Sequence, residues 1–333
     1  MRKNVLPLLL ISVWLFHSCS NDFDLIVPGK NIPVVYGLLN VQDPAHFLRV
    51  EKAFVDPTTS ALEIAQNPDS LFYQNISVQL ERISDGTVFN LTRVDGNTEG
   101  FPKAAGIFAT APNYLYKIDS TSIKLKPGEQ IGLIINRGDE LPVVTAQATI
   151  VPNMEARKPK AGENIGFTSG KTERIFWTAP EEARIFDVQF LIKYDEFPAN
   201  DPSQLESKTL TWLVAKGLRN EGLDRVTLEI QDGLEFYSFL SRNIPVSANL
   251  KRIFRGMDFI VTAGGAEIEQ FINIGQANTG ITGSQEIPTF TNLSEGRGIF
   301  SSRNTMREKG VQITSMTRDS LRNGFLTKDL NFL

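Results

Sequence analysis

Residues 76–94 read ISVQLERISDGTVFNLTRV and carry the clearest strand pattern in the chain. Apolar and polar residues alternate from Ile76 to Ile83, which is the pattern of a strand buried on one face. Asp85-Gly86 follows as a tight-turn signal, and the apolar alternation resumes over Val88–Val94. The segment therefore predicts two antiparallel strands joined by a short turn.

Short strands of this kind recur along the chain at near-regular spacing, with turn signals between them. Further strands are predicted at Ile32–Leu39, Phe47–Ala53, Asn113–Ser120, Gln130–Asn136, Val143–Ile150, Glu173–Pro180, Phe186–Glu196, Ser207–Val214, Arg225–Ile230, Met257–Ala263 and Gln270–Ile274. Helical signals are rare. A capping box of Ser60 and Glu63 predicts one short helix, and apolar residues at helical spacing predict another over 234–243.

This pattern indicates an all-β chain of two β-sandwich domains with one or two short helices. A length of 333 residues is sufficient for two such domains. We predict the first sandwich over residues 31–152 and the second over 163–304, with a C-terminal extension over 305–333. Pro152–Gly162, rich in proline, lysine and alanine, is predicted to be a linker. The tryptophan-bearing segment Glu173–Pro180 and the long strand after it resemble consecutive strands of immunoglobulin-like sandwiches of the fibronectin type III kind.

The N-terminus has the three parts of a secretory leader. Arg2 and Lys3 form a positive start, Val5–Phe16 is apolar, and Cys19 follows a small residue. Cys19 is the only cysteine in the chain and stands where bacterial lipoproteins carry the cysteine that is cleaved and acylated. We therefore predict a signal peptide over residues 1–18 and a lipid-modified Cys19. The alternatives are a plain secretory signal with an incidental cysteine and an uncleaved anchor.

The residues after the cysteine predict where such an anchor would hold the chain. Residues 19–30 form a lipidated tether in this interpretation, and its acyl chains attach it to a membrane through about 0.8 kcal/mol per buried methylene. Ser20, Asp22, Phe23 and Asp24 resemble the acidic signal that directs Bacteroidota lipoproteins to the cell surface of the outer membrane. The alternative is a solvated acidic tether.

Composition argues against several classes of chemistry. The net charge is −4 and no basic block is present, so nucleic-acid binding is not expected. With Cys19 assigned to lipid, thiol catalysis, disulfides and cysteine metal sites are not expected. His17 leaves with the leader, and His46 alone makes neither a Ser-His-Asp triad nor a usual zinc site. We therefore predict no catalytic residue, no metal and no cofactor.

The most distinctive segment after the leader is residues 291–302, TNLSEGRGIFSS. It resembles the closing N-x-x-x-G-x-G-I-F signature of a Bacteroidota lipoprotein family known as domain of unknown function 4249. The residues that match are Asn292, Gly296, Gly298, Ile299 and Phe300. The lipoprotein leader, an early V-V-Y-G-L-L strand at residues 34–39 and an aromatic-rich helix before the signature also fit this resemblance.

The resemblance implies an envelope lipoprotein, of a kind often associated with TonB-dependent outer-membrane transporters, without shared catalytic residues. The leading hypothesis is a non-enzymatic outer-membrane lipoprotein that is exposed at the cell surface and acts as an accessory or binding partner of such a transporter. Two alternatives stay open: a carboxylate-dependent glycan hydrolase, and a structural or adhesion module of the envelope. From the residues themselves, Gly296 and Gly298 predict a tight approach or bulge beside a strand beginning at Ile299, and not a phosphate loop.

Overall fold

The computed structural model describes residues 32–53, 59–138, 141–277 and 289–333. The leader, Cys19 and the acidic residues Ser20, Asp22, Phe23 and Asp24 lie outside the described residues. Strands account for 46 % of the described residues and helices for 16 %. The predicted all-β class is therefore confirmed. No helix of the described residues has the length and apolar character needed to cross a membrane.

The strands follow one another with short connections. Their bounds are β1 Ile32–Leu39, β2 Ala45–Ala53, β3 Ser77–Arg82, β4 Thr87–Asn90, β5 Thr92–Asp95, β6 Tyr114–Asp119, β7 Gln130–Asn136, β8 Val144–Thr149, β9 Glu155–Lys158, β10 Asn164–Ile165, β11 Glu173–Thr178, β12 Ile185–Pro198, β13 Glu206–Arg219, β14 Arg225–Ile230, β15 Leu250–Gly264 and β16 Arg297–Ile313. The helices are α1 Ala61–Gln66, α2 Pro68–Leu71, α3 Ser120–Ile123, α4 Leu234–Asn243, α5 Ala266–Ala277 and α6 Ser315–Asn323, with a 3₁₀ turn at Lys328–Leu330.

Three sheets form two sandwiches. The largest sheet has nine strands in the order β13-β12-β15-β16-β1-β2-β6-β5, with β10 also paired to β16. A four-stranded sheet, β4-β3-β7-β8, and a three-stranded sheet, β14-β11-β9, complete the set. One hydrophobic core joins residues of β1, β2 and β6 to residues of β3, β7 and β8, and a second joins β12, β13 and β15 to β11 and β14. The two sandwiches therefore share the nine-stranded sheet.

Strand β16 makes this sharing possible. Its first part, from Arg297 to Ser302, pairs in parallel with Val34–Leu39 of β1. Its second part, from Arg303 to Val311, pairs antiparallel with β15. A single seventeen-residue strand therefore belongs to both sandwiches.

The structure places the domain boundaries differently from the prediction. Residue 304, the predicted end of the second sandwich, lies inside β16, and the predicted linker Pro152–Gly162 contains β9, which pairs with β11. Met154 and Ala156 of that segment are buried in the second core. The predicted extension over 305–333 completes β16 and adds α6 and other buried residues to the same core. The predicted boundaries differ from the observed ones because apolar residues of the predicted linker and extension are buried in the second core. The composition of these segments resembles that of loops and does not show this burial.

Two predicted strands also change. Gln270–Ile274 lies in helix α5 and not in a strand. The predicted strand Val88–Val94 divides at Leu91, because β4 belongs to the four-stranded sheet and β5 to the nine-stranded sheet. Leu91 itself is buried in the first core. The chain thus changes layers of the first sandwich within one residue.

Candidate functional site

The two signature glycines lie where β16 approaches β1. Gly296 and Gly298 have φ angles of +100° and +115°, which side-chain-bearing residues rarely adopt. A Cβ atom at Gly298 would lie 1.9 Å from the carbonyl oxygen of Val35, and one at Gly296 would lie 2.2 Å from that of Pro33. The predicted tight approach therefore agrees with the geometry, and the strand begins at Arg297, two residues before the predicted start.

Asn292 fixes the segment that leads into this strand. Its side-chain oxygen accepts from the Phe300 amide at 3.0 Å, and its Nδ2 donates to the Phe300 carbonyl at 2.6 Å and to the Gln147 carbonyl at 3.2 Å. Ile299 and Phe300 are buried, and Phe300 belongs to the first core. The signature residues Asn292, Gly296, Gly298, Ile299 and Phe300 are thus brought together as a structural joint.

Sequence reasoning missed the polar residues that complete this joint. Ser302 and Asn304 are fully buried in β16. The Ser302 hydroxyl donates to the Thr149 carbonyl at 2.6 Å and accepts from the Val151 amide at 2.7 Å, and Asn304 Nδ2 donates to the Val151 carbonyl at 3.1 Å. These bonds tie the chain between the sandwiches to the shared strand. The sequence signal for this role was two polar residues, Ser302 and Asn304, on the same face of the strand that follows the signature.

An open groove of about 600 Å³ lies on the outer face of the nine-stranded sheet. Its apolar lining includes Leu38 of β1, Phe47 of β2 and Phe101 of the loop before β6. The rings of Phe47 and Phe101 are 4.8 Å apart between centroids, and Phe101 is 50 % exposed. Exposed aromatic surface of this kind is available to a binding partner.

Charged pairs line the same groove. Lys117 lies 2.9 Å from Glu99, and Arg303 lies 3.5 Å from Asp43. The hydrogen bond that Lys117 donates to Glu99 raises the pKa of Lys117, so this cation stays charged across the physiological range. Arg303 comes from β16, so the shared strand contributes to the groove. The arrangement combines an apolar floor with a polar rim, as protein interfaces do.

A second, wider groove of about 840 Å³ lies on the exposed face of the four-stranded sheet. It is lined by Glu81, Ile83, Ile134, Val143 and Gln147, together with residues 291–294 of the signature segment. Among the described residues that line it, none is aromatic, and the carboxylate of Glu81 is the one ionisable group. We therefore regard the groove with Leu38, Phe47 and Phe101 as the candidate binding surface.

Four carboxylates line one small cleft, and two of them have partners in the structure. Glu181, Glu182, Glu267 and Glu269 line a cleft of about 280 Å³ together with Arg184. Glu267 accepts from the Ser301 hydroxyl at 2.6 Å, and Arg184 lies 3.5 Å from Glu269. Two of the four are thus engaged in pairs that hold α5 against neighbouring strands. Among the described residues, no group of three or more histidines, cysteines or carboxylates is arranged to hold a metal ion.

His46 faces the first core from β2. It is 2 % exposed, and neither ring nitrogen has a hydrogen-bond partner. Burial lowers the pKa of His46, and the nearby charge of Asp43 opposes this effect only in part. Because the ring is buried, it offers no surface that a substrate could approach. His46 therefore acts as a core residue.

The fold is all-β, and an open groove lies on its nine-stranded sheet. No family model matches the chain, and no curated protein matches it. The family resemblance therefore stays a prediction.

Similar solved structures include the C-terminal globular domain of oligosaccharyltransferase from Pyrococcus abyssi. It is 9 % identical, with a TM-score of 0.26, over 86 % of this chain and 50 % of that one, so this chain spans about half of its length. Another is the IG1+IG2 fragment of DIP-gamma, at 10 % identity and a TM-score of 0.18, over 81 % of this chain and 98 % of that one.

Proposed function

We propose that this chain is a non-enzymatic outer-membrane lipoprotein, exposed at the cell surface, that serves as an accessory or binding partner of a TonB-dependent transporter. One observation carries the proposal. The only cysteine, Cys19, directly follows a leader with a basic start and an apolar stretch, and Asp22 and Asp24 come just after it.

An acyl anchor at Cys19 would hold the body near the membrane. Residues 19–31 separate the anchor from β1, and even a fully extended chain of that length reaches at most about 45 Å. Acyl chains supply stable attachment without a spanning segment when more than one is present. The two sandwiches, joined by β16, then move as a single body on this tether.

The groove on the nine-stranded sheet supports the binding part of the proposal. Its aromatic floor and paired charges suit a protein surface, in which the centre is apolar and the rim polar. No carboxylate or histidine in the groove has the base and nucleophile arrangement of a catalytic site. Partner binding is therefore the function that this geometry supports best.

Site-specific photocrosslinking tests the proposed partner. A photoreactive amino acid in place of Leu38 should crosslink the lipidated protein to a TonB-dependent transporter in intact cells, because Leu38 lies in the groove and is 40 % exposed. The matched control is Leu223, which is 62 % exposed on the connection between β13 and β14. Mass spectrometry of the crosslinked band identifies the partner.

A transporter captured from position 38 but not from position 223 would support the proposal. Capture of no envelope protein from either position would reject the partnership, whereas equal capture from both would reject the groove as the contact. Protease treatment of intact cells tests surface exposure separately, and a body that stays protected would reject the export signal.

A further inference from the structure

We propose that the loop over residues 101–108 inserts into the membrane interface and orients the body on its anchor. This inference rests on the proposed acylation of Cys19, and it assigns a lipid surface as the partner of a site that the sequence analysis did not single out. The loop reads FPKAAGIF.

The tip of this loop is an uninterrupted apolar run on the surface. Ala104, Ala105, Gly106, Ile107 and Phe108 are all exposed, and the exposed fractions of Ile107 and Phe108 are 58 % and 42 %. Runs of exposed apolar residues reduce solubility and are normally avoided unless they have a function. A leucine from α1 extends the surface, because Leu62, 61 % exposed, shares a helix face with Gln66, whose side chain donates to the Ile107 carbonyl.

Hydrogen bonds hold the stem of the loop against the body, so the apolar tip stays exposed at the surface. Asn97 Nδ2 donates to the Thr110 carbonyl at 2.9 Å, and Asn113 Nδ2 donates to the Phe101 carbonyl at 2.8 Å. The Ala109 amide donates to the Ala65 carbonyl of α1 at 2.8 Å. Behind the tip, a small separate core supports it, made of Leu71, Phe72, Ala109 and Tyr114.

The position of the loop argues for a lipid partner. Lys103 Nζ lies 3.7 Å from Glu51 and 5.5 Å from the ring centre of Phe108, and Lys52 Nζ donates to the Asp69 carbonyl of α2 at 2.7 Å. Glu51 and Lys52 pair with Val34 and Pro33 at the start of β1.

The loop and the two short helices therefore surround the end of the sheet where the chain enters from Cys19. An anchor that reaches at most about 45 Å keeps this end of the body close to the bilayer. Aromatic and aliphatic side chains with a lysine beside them suit the headgroup region, where rings and stems are buried and charged tips stay in water.

The test uses the absence of any other thiol. Because Cys19 is the only cysteine and is blocked when acylated, Ile107→Cys or Phe108→Cys supplies one reactive thiol for an environment-sensitive fluorophore. The lipidated full chain is reconstituted in vesicles of phosphatidylethanolamine and phosphatidylglycerol. Leu223→Cys is the control, since Leu223 is at least as exposed as Ile107 and Phe108 and the variant carries the same anchor.

We expect blue-shifted emission, and quenching by spin-labelled lipids, at positions 107 and 108 but not at position 223. Phe108→Asp should abolish quenching of a probe at Leu62→Cys without releasing the protein from the vesicles. Water-like emission at 107 and 108, equal to that at 223, would overturn the proposal. A blue shift at 107 and 108 that occurs in native outer membranes but not in lipid vesicles would also overturn the proposal, because the partner would then be a protein.

A second arm separates this inference from the proposed function. The chain from residue 19 onward, with Cys19→Ser and an N-terminal hexahistidine tag, is held on vesicles by nickel-chelating lipid. Quenching at 107 and 108 in this arm, together with failure of the native chain to float with vesicles, would reject the acyl anchor and retain the loop. Floating of the native chain without quenching in either arm would reject the loop and retain the anchor.

Discussion

Gly298 and His46 show how single residues of the first sandwich determine its behaviour. Gly298 holds a backbone conformation that other residues avoid, and its missing side chain admits the Val35 carbonyl. His46 is an imidazole in an apolar core without a hydrogen-bond partner. For each residue, a mutation has a predicted effect on the stability of the protein.

Replacing Gly298 by alanine should destabilise the protein by about 3 kcal/mol or more, because strained backbone and a steric clash act together. Gly310→Ala is the matched control. Its φ is also positive, at +70°, but no atom lies within 4 Å of the added Cβ, so the cost should be about 1 kcal/mol. Urea unfolding followed by circular dichroism measures both. Equal losses would show that close approach to β1 is unimportant.

The stability of the protein should fall as the pH decreases below the ordinary pKa of histidine, in part because of His46. Burial lowers the pKa of His46 in the folded state, so the unfolded chain takes up a proton that the folded chain excludes. This contribution is fully present above the unfolded pKa and is lost as the pH falls toward the folded pKa.

His46→Leu removes the titrating group and leaves no buried polar atom behind. Urea unfolding at pH 7.5 and pH 5.5 should therefore show a smaller loss of stability for His46→Leu than for the wild type. An identical pH dependence in both proteins would mean that His46 is already protonated, or solvated, in the folded state.

At the scale of the elements, one buried carboxylate ties three neighbouring strands. Asp258 of β15 is fully buried and accepts from Lys193 of β12 at 2.8 Å, from Arg307 of β16 at 2.6 Å and from the Gly310 amide at 3.2 Å. Burial alone would raise the pKa of Asp258, but the hydrogen bonds from Lys193 and Arg307 outweigh it and hold the pKa below its usual range.

Asp258→Asn should cost about 2–3 kcal/mol, because the two cations lose a common charged acceptor. The linkage has the same sign as that of His46, because a lowered folded-state pKa means in both cases that the unfolded chain binds more protons. The stability that Asp258 contributes is present above the unfolded pKa of an aspartate and is lost only in stronger acid. Glu229→Gln, which breaks an exposed pair with Arg174, is the control and should leave the urea midpoint unchanged. A urea midpoint of Asp258→Asn equal to that of the wild type would contradict the role of Asp258 in holding the three strands together.

Local pattern was sufficient to predict many elements. Gln130–Asn136, Arg225–Ile230 and the helix over 234–243 have the predicted bounds, since each combines a clear period with turn residues at its ends. The signature glycines also predicted a close backbone approach. These are properties of neighbouring residues, which the sequence records directly.

Long-range pairing could not be predicted in this way. The length of β16 depends on β1 and β15, which lie far away in sequence, and β9 is a strand because β11 pairs with it. The strand predicted at Gln270–Ile274 was wrong, because the pattern of five residues is too short to distinguish a strand from a helix. The groove and the apolar loop arise from tertiary placement of Leu38, Phe47 and residues 101–108, so no local pattern marks them.

In the molecule as a whole, residues 330–333 pack against the second sandwich and are hydrogen-bonded to it. Arg252 is buried and donates to Glu196 at 2.8 Å, to the Leu330 carbonyl at 2.6 Å and to the Pro245 carbonyl at 2.9 Å. The Leu333 amide donates to the Arg252 carbonyl at 2.9 Å. The final residues therefore close the core instead of trailing from it.

Phe332→Ala should cost about 3 kcal/mol, because Phe332 is buried in the second core with its ring 6.0 Å from that of Tyr194. Leu333→Ala changes the next residue, which is 49 % exposed, and should have little effect. Thermal unfolding of the two variants compares them directly. A Phe332→Ala midpoint no lower than that of Leu333→Ala would show that the C-terminus is dispensable.

The proposed function depends on an acyl anchor at Cys19, and mass spectrometry of the mature N-terminus shows whether that anchor is present. Cells are labelled with an alkyne analogue of palmitate, and the wild type is compared with Cys19→Ser. We predict a mature chain that begins at Cys19, carries acyl chains and incorporates the label, and a Cys19→Ser chain that incorporates none. An unmodified cysteine, or a mature chain that begins elsewhere, would rule out the acyl anchor and with it the proposed function.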